Sequence, residues 1–459
     1  MIHLNNISKN NWNNTKISII GAGKSGIAAA KLGKHIGSSI FISDINKSQK
    51  VKNSLNEFNH EVGLHSDEIL NSDFIIKSPG IKNDIPIIQK CKNNNLPIIS
   101  EIEFASWFTR SPIIALTGSN GKTTTTNLLH NMCLNDGRNS LIGGNIGIPF
   151  SENVLWELTN KIKSTVHVLE LSSFQLENVN LFSPIISGIL NISPDHMDRY
   201  SSYSEYINSK LNIARQTLSD GWIVYNENDS TLYSQLKKYS NAIGFSTNSN
   251  SNSYLHLNKS EVYLGSKPNS EILFYLTDSK LKGKHNINNI LAAATMAHKF
   301  GISKSAINKS VINFNPIEYR LEWIGNINNV DFFNDSKATN IAASRAAIES
   351  FDNNIIIILG GKDKGKSDFK LLIPSMKNRV KKIIAYGEAG ENIKSQLFEE
   401  FNVTFIENFE TAVKEAHIQS NSGDTILLSP ACASFDQFDS FEKRGSEFNK
   451  IFNKLELLN

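Results

Sequence analysis

The chain has 459 residues, of which 40% are hydrophobic, a length that predicts two or three domains instead of one compact core. Its 47 basic and 44 acidic side chains nearly balance, which excludes a general polyanion-binding surface and leaves phosphate binding to local sites. Cys91, Cys133 and Cys432 are widely spaced with no CxxC pair, which argues against a disulfide framework and favours a reducing compartment.

The first 16 residues are polar and contain no apolar segment of the signal-peptide type. Elsewhere no apolar run approaches the roughly 20 residues of a membrane span. We therefore expect a protein that stays in the cytoplasm.

Short apolar runs alternate with longer amphipathic segments, which predicts α/β units on parallel sheets. Predicted strands fall into three groups: residues 16–20, 39–43, 73–76 and 97–100; 113–116, 166–169 and 185–190; and 355–359, 382–386, 403–406 and 425–428. The fold class is therefore α/β, with domains at residues 1–100, 101–316 and 317–459. A polar, serine- and asparagine-rich stretch at residues 246–253 is predicted to be an exposed loop.

A glycine-rich turn follows the first predicted strand and opens a helical pattern. It comprises Gly21, Gly23, Lys24, Ser25 and Gly26, and an acidic residue, Asp44, ends the next strand. Glycines of this kind let a backbone approach a pyrophosphate at a helix N-terminus. On its own, this pattern would suggest a dinucleotide-dependent oxidoreductase. A second turn, at Ser78, also follows a predicted strand, so it faces the same ligand-binding crevice at the strand ends. The sequence fits a turn that binds no ligand equally well.

A second glycine-rich loop follows residues 113–116 and precedes another helical pattern. Its residues are Thr117, Gly118, Ser119, Asn120, Gly121, Lys122, Thr123 and Thr124. Backbone amides of such a loop cradle phosphates, the lysine neutralises the outer phosphates, and the threonine after it can ligate Mg²⁺. The general P-loop pattern places a glycine where this chain has Leu116, so the loop is a shortened variant. It predicts a nucleoside triphosphate site.

Three further residues are candidates for metal or acid–base chemistry. Glu170 ends a predicted strand beside the P-loop, where a carboxylate can hold Mg²⁺. His196 follows another strand in HMDRY, but an ordinary hydrogen-bonded loop histidine is the simpler interpretation, because Mg²⁺ prefers oxygen. Lys210 is not distinguished by its spacing from a helical surface lysine.

Taken together, the motifs resemble the Mur ligase family. The P-loop resembles that family's ATP loop, and GKHNINN at residues 283–289 resembles its second nucleotide motif. ELSSFQLE at 170–177, HMDRY at 196–200, DSKATN at 335–340 and LSPACASFDQF at 428–438 with FEKRG at 441–445 resemble the members that add D-glutamate to UDP-N-acetylmuramoyl-L-alanine. The resemblance runs from Gly21 to Phe448.

The resemblance implies a Rossmann-like N-terminal domain that binds the UDP precursor, a P-loop ATPase-like central domain, and a Rossmann-like C-terminal domain for the amino acid. In the first, Gly21, Gly23, Lys24, Ser25 and Gly26 would face the diphosphate and Asp44 the uridine. Ser78 and Asn145 would face the sugar and peptide. Lys24, Ser25 and the Ile45 that follows Asp44 depart from the expected pattern, so the uracil contacts stay open.

The resemblance also implies the ATP and metal ligands. ATP would bind Gly118, Ser119, Asn120, Gly121, Lys122, Thr123, Thr124, Asn286, Asn289, Arg320 and Asp335. Two Mg²⁺ ions would be held by Thr123, Glu170, His196 and a carbamylated Lys210, since a carbamate turns a cation into an oxygen ligand. Lys122 and Lys337 would surround the transferred phosphoryl group.

D-Glutamate would be bound by Thr339, Lys364, Ser434 and Phe441, and the neighbouring Lys362 and Lys366 leave the choice of lysine open. The implied reaction passes through an acyl phosphate, in a protein expected to act as a monomer with no nucleic-acid or membrane partner. Rival interpretations are a sister ligase that adds another amino acid and a nucleotide-binding regulatory protein without ligase activity. The oxidoreductase would leave everything after the first glycine motif unexplained.

Overall fold

The computed structural model describes residues 11–162, 164–197, 199–249, 253–265, 269–281, 284–363 and 367–458. The chain divides into two compact units. The first takes in the described residues up to Ile192 with Ser202–Asp278 and Asn288–Ile312, and the second takes in Ser193–Ser201, Ser279–Ile287 and the described residues from Asn313 onward. Among the described helices, none combines the length and apolar character needed to cross a bilayer.

The first sheet is parallel, with strand order β3-β2-β1-β4-β5. Its strands are β1 (Lys16–Ile20), β2 (Ser39–Asp44), β3 (Asn59–Val62), β4 (Phe74–Lys77) and β5 (Ile98–Ser100), and its helices are α1 (Lys24–His35), α2 (Gln49–Leu55), α3 (Pro86–Asn93) and α4 (Glu101–Ser106). The strand order reverses at β1, so a crevice opens beyond the carboxyl ends of β1 and β4, where such sheets bind ligands.

The second sheet has the order β14-β13-β12-β11-β10-β9-β6-β8-β7, and its pairings are parallel except for β12–β13 and β13–β14, which are antiparallel. Its strands are β6 (Ile113–Thr117), β7 (Asn139–Gly144), β8 (Thr165–Glu170), β9 (Ile186–Ile189), β10 (Trp222–Asn226), β11 (Ala242–Ser246), β12 (Leu255–Asn258), β13 (Glu261–Leu264) and β14 (Glu271–Tyr275). The accompanying helices are α5 (Lys122–Asn135), α6 (Phe150–Asn160), α7 (Ser173–Leu176), α8 (Tyr203–Arg215), α9 (Ser230–Leu236), α10 (Lys284–Lys299) and α11 (Lys304–Asn313).

The third sheet, in the second unit, has the order β15-β16-β20-β17-β18-β19. Its strands are β15 (Glu322–Ile327), β16 (Val330–Asn334), β17 (Ile355–Gly360), β18 (Val380–Tyr386), β19 (Val403–Ile406) and β20 (Thr425–Ala431), with α12 (Ile341–Ile348), α13 (Ile373–Met376), α14 (Gly390–Leu397), α15 (Phe409–Ile418) and α16 (Phe441–Leu458). Alternate residues of β17 enter two different hydrophobic clusters. The central strand is therefore buried on both faces, as parallel sheets between helices are.

All three predicted groups of strands are present, with bounds shifted by at most three residues. The structure adds strands that were not predicted: β3, β7, β10 to β14, β15 and β16. The predicted loop at 246–253 is only partly described: Ser246 ends β11 and Ser253 is buried, while residues 250–252 lie outside the described part.

A buried carboxylate on α4 ties the first sheet to the second within the first unit. Glu103 accepts backbone hydrogen bonds from Asn180, Leu181 and Phe182, each at 2.8 Å. Its Oε1 also accepts from the indole Nε1 of Trp107 at 2.9 Å. The side chain has no solvent exposure. These donors compensate the cost of burying the charge and fix the segment between α7 and β9.

We expect Glu103→Ala to lower the free energy of unfolding by about 3 kcal/mol or more, because it strands several buried donors. Glu103→Gln should lower the free energy of unfolding by a smaller amount, since its amide nitrogen cannot accept the hydrogen bonds that one carboxylate oxygen now receives. Urea denaturation followed by tryptophan fluorescence measures both, with the exposed Glu68→Ala as control. A Glu103→Ala variant as stable as this control would contradict the assignment.

Candidate active site

The first glycine loop packs directly against the turn at Ser78. Gly21 has φ +101°, and a Cβ there would lie 2.8 Å from the Ser78 side chain, so glycine is required. The Ser78 hydroxyl donates to the Gly21 carbonyl at 3.0 Å. Asp44 accepts from the backbone amide of Ala22 at 2.6 Å. A Cβ on Gly23, by contrast, would meet nothing within 4 Å. The structure therefore brings Gly21, Ser78 and Asp44 together at the crevice of the first sheet.

Helix α1 begins at Lys24, directly after this loop, and Gly23 provides no side-chain cap. Its first-turn amides therefore point toward the crevice with no capping side chain, as an anion site requires. Lys24 is exposed and Ser25 half-buried, whereas Gly26 is buried, and a Cβ there would lie 2.0 Å from the Gly21 carbonyl oxygen.

The P-loop joins β6 to α5 through a left-handed turn. Gly121 is the N-cap of α5 with φ +82°, and a Cβ there would lie 2.1 Å from the Asn289 Oδ1. Asn191 holds the other side: its Oδ1 accepts from the Asn120 amide at 2.9 Å and its Nδ2 donates to the Asn120 carbonyl at 3.1 Å. Thr123 follows Lys122 in the first turn of α5, and Thr124 is buried there. Asn289 thus lies beside the P-loop.

Two lysines converge on one carbonyl of this loop. Lys122 Nζ donates to the Gly118 oxygen at 2.8 Å and to the Ser119 oxygen at 2.9 Å. Lys210 Nζ, from α8, donates to the same Gly118 oxygen at 3.0 Å. Lys210 is only 2% exposed. The sequence pattern alone did not distinguish Lys210 from a surface lysine. In the structure Lys210 extends from α8 and its Nζ contacts the P-loop.

Tyr206 is a neighbour of this cluster that the sequence analysis missed. Its hydroxyl lies 2.9 Å from the Ser119 hydroxyl, and Lys210 Nζ lies 4.8 Å from its ring centroid. Tyr206 and Lys210 are four residues apart on α8, the spacing that stacks side chains on one helix face. That spacing was the signal that could have identified Tyr206.

Glu170 ends β8 and is paired with Asn145. Asn145 Nδ2 donates to Glu170 Oε1 at 2.9 Å, and the Asn145 amide donates to the Glu170 carbonyl at 2.7 Å. Gly144 makes this approach possible, because a Cβ there would lie 2.4 Å from the Glu170 carbonyl oxygen. Glu170 Oε2 is buried and accepts no hydrogen bond from any described residue. A buried carboxylate oxygen of this kind fits a hard cation.

In the second unit, His196 and Thr339 line one cavity of 360 Å³. His196 has φ +56°, and its Nε2 lies 3.6 Å from Asp195 Oδ2. That carboxylate also accepts from Asn340 Nδ2 at 3.2 Å. The DSKATN segment thus reaches the histidine loop through Asn340. Arg345 also lines the cavity and supplies a cation near it.

A second cluster surrounds Asp335, which is 6% exposed. Its carboxylate accepts from the Ser429 hydroxyl at 2.7 Å and from the Leu321 amide at 3.1 Å. Burial raises the pKa of Asp335 to about 7, while these bonds and the nearby Arg320 and Arg444 act to lower it. Arg320 and Asp335 are therefore neighbours.

Lys337 and Phe441 also meet, with the Lys337 Nζ 3.7 Å from the Phe441 ring centroid. Ser434 is buried but is not among the residues that line the cavity with Thr339. Lys364 lies outside the described residues. Asn286 is buried in α10.

Arg444 lies in the FEKRG motif, and sequence reasoning assigned it no role. In the structure it joins several segments around Asp335 and Lys337 through hydrogen bonds. The guanidinium is fully buried and donates to Ser336, Tyr386, Cys432 and Ala433. Five donors in a fixed fork can join several chain segments in this way. Arg444 therefore holds the segments that carry Lys337 and Ser434.

The fold and these clusters define a P-loop nucleotide-binding protein built from α/β domains in series. Three family profiles match in the same order: "Mur ligase MurD-like, N-terminal domain" at residues 15–100, "Mur ligase middle domain" at 116–297, and "Mur ligase, glutamate ligase domain" at 319–432. The chain belongs to the Mur ligase family. The three-domain α/β fold expected from the sequence is thereby confirmed.

Curated relatives cover nearly the whole chain. The UDP-N-acetylmuramoylalanine–D-glutamate ligase of Christiangramia forsetii is 39% identical over 450 residues, covering 96% of this chain and 99% of that protein. The enzyme of that name from Clostridioides difficile is 36% identical over 452 residues, covering 96% and 98%.

Solved structures share the fold at lower identity. MurF from Acinetobacter baumannii superposes with a TM-score of 0.62 at 14% identity, covering 94% of this chain and 93% of its own. A pseudomurein peptide ligase type C from Methanothermus fervidus gives 0.61 at 18%, covering 96% and 100%.

The raised pKa of Asp335 predicts a pH-dependent contribution to stability. Unfolded, the carboxyl ionises near its ordinary value of 3.8, whereas in the folded protein its pKa is about 7. Between these values the folded state binds the extra proton, so the contribution of Asp335 to stability falls as the pH rises. Asp335→Asn removes this titration while keeping the shape of the side chain.

The free energy of unfolding of Asp335→Asn, minus that of the wild type, should therefore rise from about pH 5 to about pH 8. Urea denaturation at both values measures the difference, with the exposed Asp352→Asn as control. A difference that stays flat, or falls with pH, would contradict a raised pKa.

Proposed function

We propose that this protein is the ATP-dependent ligase that joins D-glutamate to UDP-N-acetylmuramoyl-L-alanine, acting as a monomer in the cytoplasm during synthesis of peptidoglycan precursors. Near full-length similarity to ligases of that name supports the activity. The structural observation that carries the proposal is the convergence of Lys122 and Lys210 on the Gly118 carbonyl of the P-loop. A protein that only bound a nucleotide would have no use for a second buried lysine there.

The reaction needs activation because a carboxylate does not form an amide directly at neutral pH. The L-alanine carboxylate attacks the γ-phosphorus of ATP, the bond to the β,γ-bridging oxygen breaks, and an acyl phosphate and ADP form. The D-glutamate nitrogen then attacks the acyl carbon, phosphate leaves, and the nitrogen loses its proton. Positioning and charge stabilisation are the main contributions of the protein to such a transfer.

For ATP, Gly118, Ser119, Asn120, Gly121 and Lys122 form the phosphate cradle, together with Thr123 and Thr124. The α5 N-terminus directs its amides at the phosphates and Lys122 neutralises their charge. Asn286 and Asn289 on α10, and Arg320 with Asp335 from the C-terminal domain, complete the proposed nucleotide contacts.

Mg²⁺ would neutralise the phosphate oxygens during transfer. Thr123 and the unsatisfied oxygen of Glu170 would hold one ion, and His196 with Lys210 would hold a second. The described residues contain no cluster of three or more histidine, cysteine or acidic side chains that could hold a metal. The proposed ligand set instead combines one carboxylate and one histidine with a hydroxyl, ATP and a modified lysine.

The surroundings of Lys210 support the proposed carbamylation. Its Nζ and the Lys122 Nζ lie within 3.0 Å of one oxygen, so the two nitrogens are at most about 6 Å apart. Lys210 is thus a buried amine beside a second lysine. A neutral amine can add to CO₂, and the carbamate oxygens are suitable Mg²⁺ ligands.

The UDP precursor would bind at the crevice of the first sheet. Gly21, Gly23, Lys24, Ser25 and Gly26 would face the diphosphate, with Asp44 toward the uridine. The open space before Gly23 and the uncapped first turn of α1 suit a phosphate. Ser78 and Asn145 would contact the sugar and peptide.

D-Glutamate would bind the C-terminal domain through Thr339, Ser434 and Phe441, with Lys364 on its carboxylate. Lys337, which lies over the Phe441 ring, would face the phosphoryl group. The cavity that Thr339 shares with His196 has a volume of 360 Å³, which is large enough for a small amino acid.

We expect purified protein to release phosphate from ATP only when UDP-N-acetylmuramoyl-L-alanine and D-glutamate are both present. A site built for one stereoisomer misplaces the amine of the other. The assay compares D-glutamate with L-glutamate, L-lysine and meso-diaminopimelate, and Lys122→Ala is the inactive control. Turnover with a different amino acid would assign a sister ligase, and no turnover despite ATP binding would favour a regulatory protein.

We expect a carbamate on Lys210 to give a bicarbonate-dependent carbon signal in the ¹³C NMR spectrum of protein exchanged with ¹³C-bicarbonate. Removal of CO₂ should lower activity reversibly, because the amine returns when the carbamate dissociates. Lys210→Arg should lose the signal, whereas the exposed Lys237→Arg should keep it. A wild-type spectrum without the signal, at full activity, would rule out the modification.

A further inference from the structure

The only buried Lys–Glu pair among the ion pairs of the described residues joins the two sheets of the first unit. Lys77, the last residue of β4, lies with its Nζ 3.3 Å from Glu177 Oε2, and the two side chains are 1% and 10% exposed. Burying two charges is costly unless further hydrogen bonds satisfy them. Those bonds come from the loop at residues 78–83, here called the 78–83 loop.

The two charges hold both ends of this loop. Lys77 Nζ donates to the Ile81 carbonyl at 3.0 Å. Glu177 Oε2 accepts from Asn83 Nδ2 at 2.9 Å. The loop begins at Ser78, whose hydroxyl is bonded to the Gly21 carbonyl. The Glu177 carboxylate, at the end of α7, therefore helps to hold the 78–83 loop beside the first glycine motif.

Glu177 is itself fixed by the ATP-binding half of the unit. It is the C-cap residue of α7, a helix closed at its other end by a capping box of Ser172 and Gln175. The Leu176 carbonyl accepts from Asn212 Nδ2 at 2.9 Å, and Asn212 lies on α8, two residues beyond Lys210. The short segment from Glu170 to Glu177 thus connects the proposed metal ligand, the helix of Lys210 and the 78–83 loop.

We infer that Glu177 is a positioning residue for the UDP-linked substrate: it holds the 78–83 loop, and with it Ser78, in the conformation that receives the precursor. The inference rests on the proposed function. Glu177 itself touches no reacting atom. Its loss should weaken binding of the precursor and leave binding of ATP unchanged, since the P-loop is held by Asn191 and Asn289 independently of Glu177.

Two variants test this. Asn83→Ala removes the side-chain bond at a half-buried position and leaves the Lys77–Glu177 pair intact, so it should fold. Glu177→Gln keeps an acceptor for Asn83 but removes the charge that faces Lys77. The matched control is Glu57→Gln, which breaks an exposed pair with Lys34 in the same domain, at 3.1 Å. Thermal unfolding of each variant verifies its fold.

Steady-state kinetics then give separate KM values for the precursor and for ATP. Calorimetry measures the Kd of UDP-N-acetylmuramoyl-L-alanine in the absence of ATP. We expect Asn83→Ala and Glu177→Gln to raise the KM and Kd for the precursor about tenfold, and the KM for ATP by less than about twofold. Glu57→Gln should match the wild type in all three.

A folded Asn83→Ala with an unchanged precursor KM would overturn the inference, as would equal increases in both KM values, which indicate a general structural defect. In both outcomes the wild type is active and the proposed function stands. A wild type that neither binds nor turns over the precursor would overturn the proposed function and the inference together.

Discussion

The turn between β6 and α5 is the constraint on which the rest of the nucleotide-binding half depends. Gly121 must take φ +82° with the Asn289 side chain against it, and no residue with a Cβ fits that space. Once the turn is fixed, the Gly118 carbonyl points at Lys122 and Lys210. The helix that carries Lys210, the strand that ends at Glu170 and the asparagine that follows β9 are all placed relative to this loop. A small displacement would separate them.

Buried carboxylates perform the corresponding task between the first two sheets. Glu101 and Glu103 lie on one short helix, α4, and both reach backbone amides of the second sheet's connections. Burial raises the pKa of Glu101 to about 7, although its bonds to Ser151 lower it. Apolar contacts between two sheets are non-directional, so they hold the sheets close together without fixing which residues lie opposite each other. Directed bonds to backbone amides fix both, at the cost of desolvating a charge.

Much of the fold could be predicted from the sequence because its central strands are continuous apolar runs. The strand β17 reads Ile-Ile-Ile-Ile-Leu and is buried on both faces. Some of the strands that were missed have little apolar content, such as β3, which reads Asn-His-Glu-Val. Others, such as the interior strand β10, which reads Trp-Ile-Val-Tyr-Asn and is mostly buried, were missed despite their apolar content. The hairpin of β15 and β16 did carry a signal: Asn328 and Asn329 both have positive φ, as the tightest hairpin turns require.

The residues of the candidate site also fall into two groups, those that a local sequence pattern predicts and those that it does not. Glycines 21 and 121 were predicted because a left-handed backbone restricts the choice of residue, and a glycine-rich turn after a strand is visible in one sequence. Lys210 was identified only through the family resemblance, and Tyr206, Glu103 and Glu177 were given no role, because each acts through contacts with residues far away in the chain. Glu177 meets a loop about a hundred positions before it. A local pattern cannot specify such a partner, so positioning residues of this kind emerge only once the sheets are assembled. The glycine-rich loops of the site can thus be predicted from the sequence, whereas the side chains that position those loops can be identified only from the three-dimensional structure.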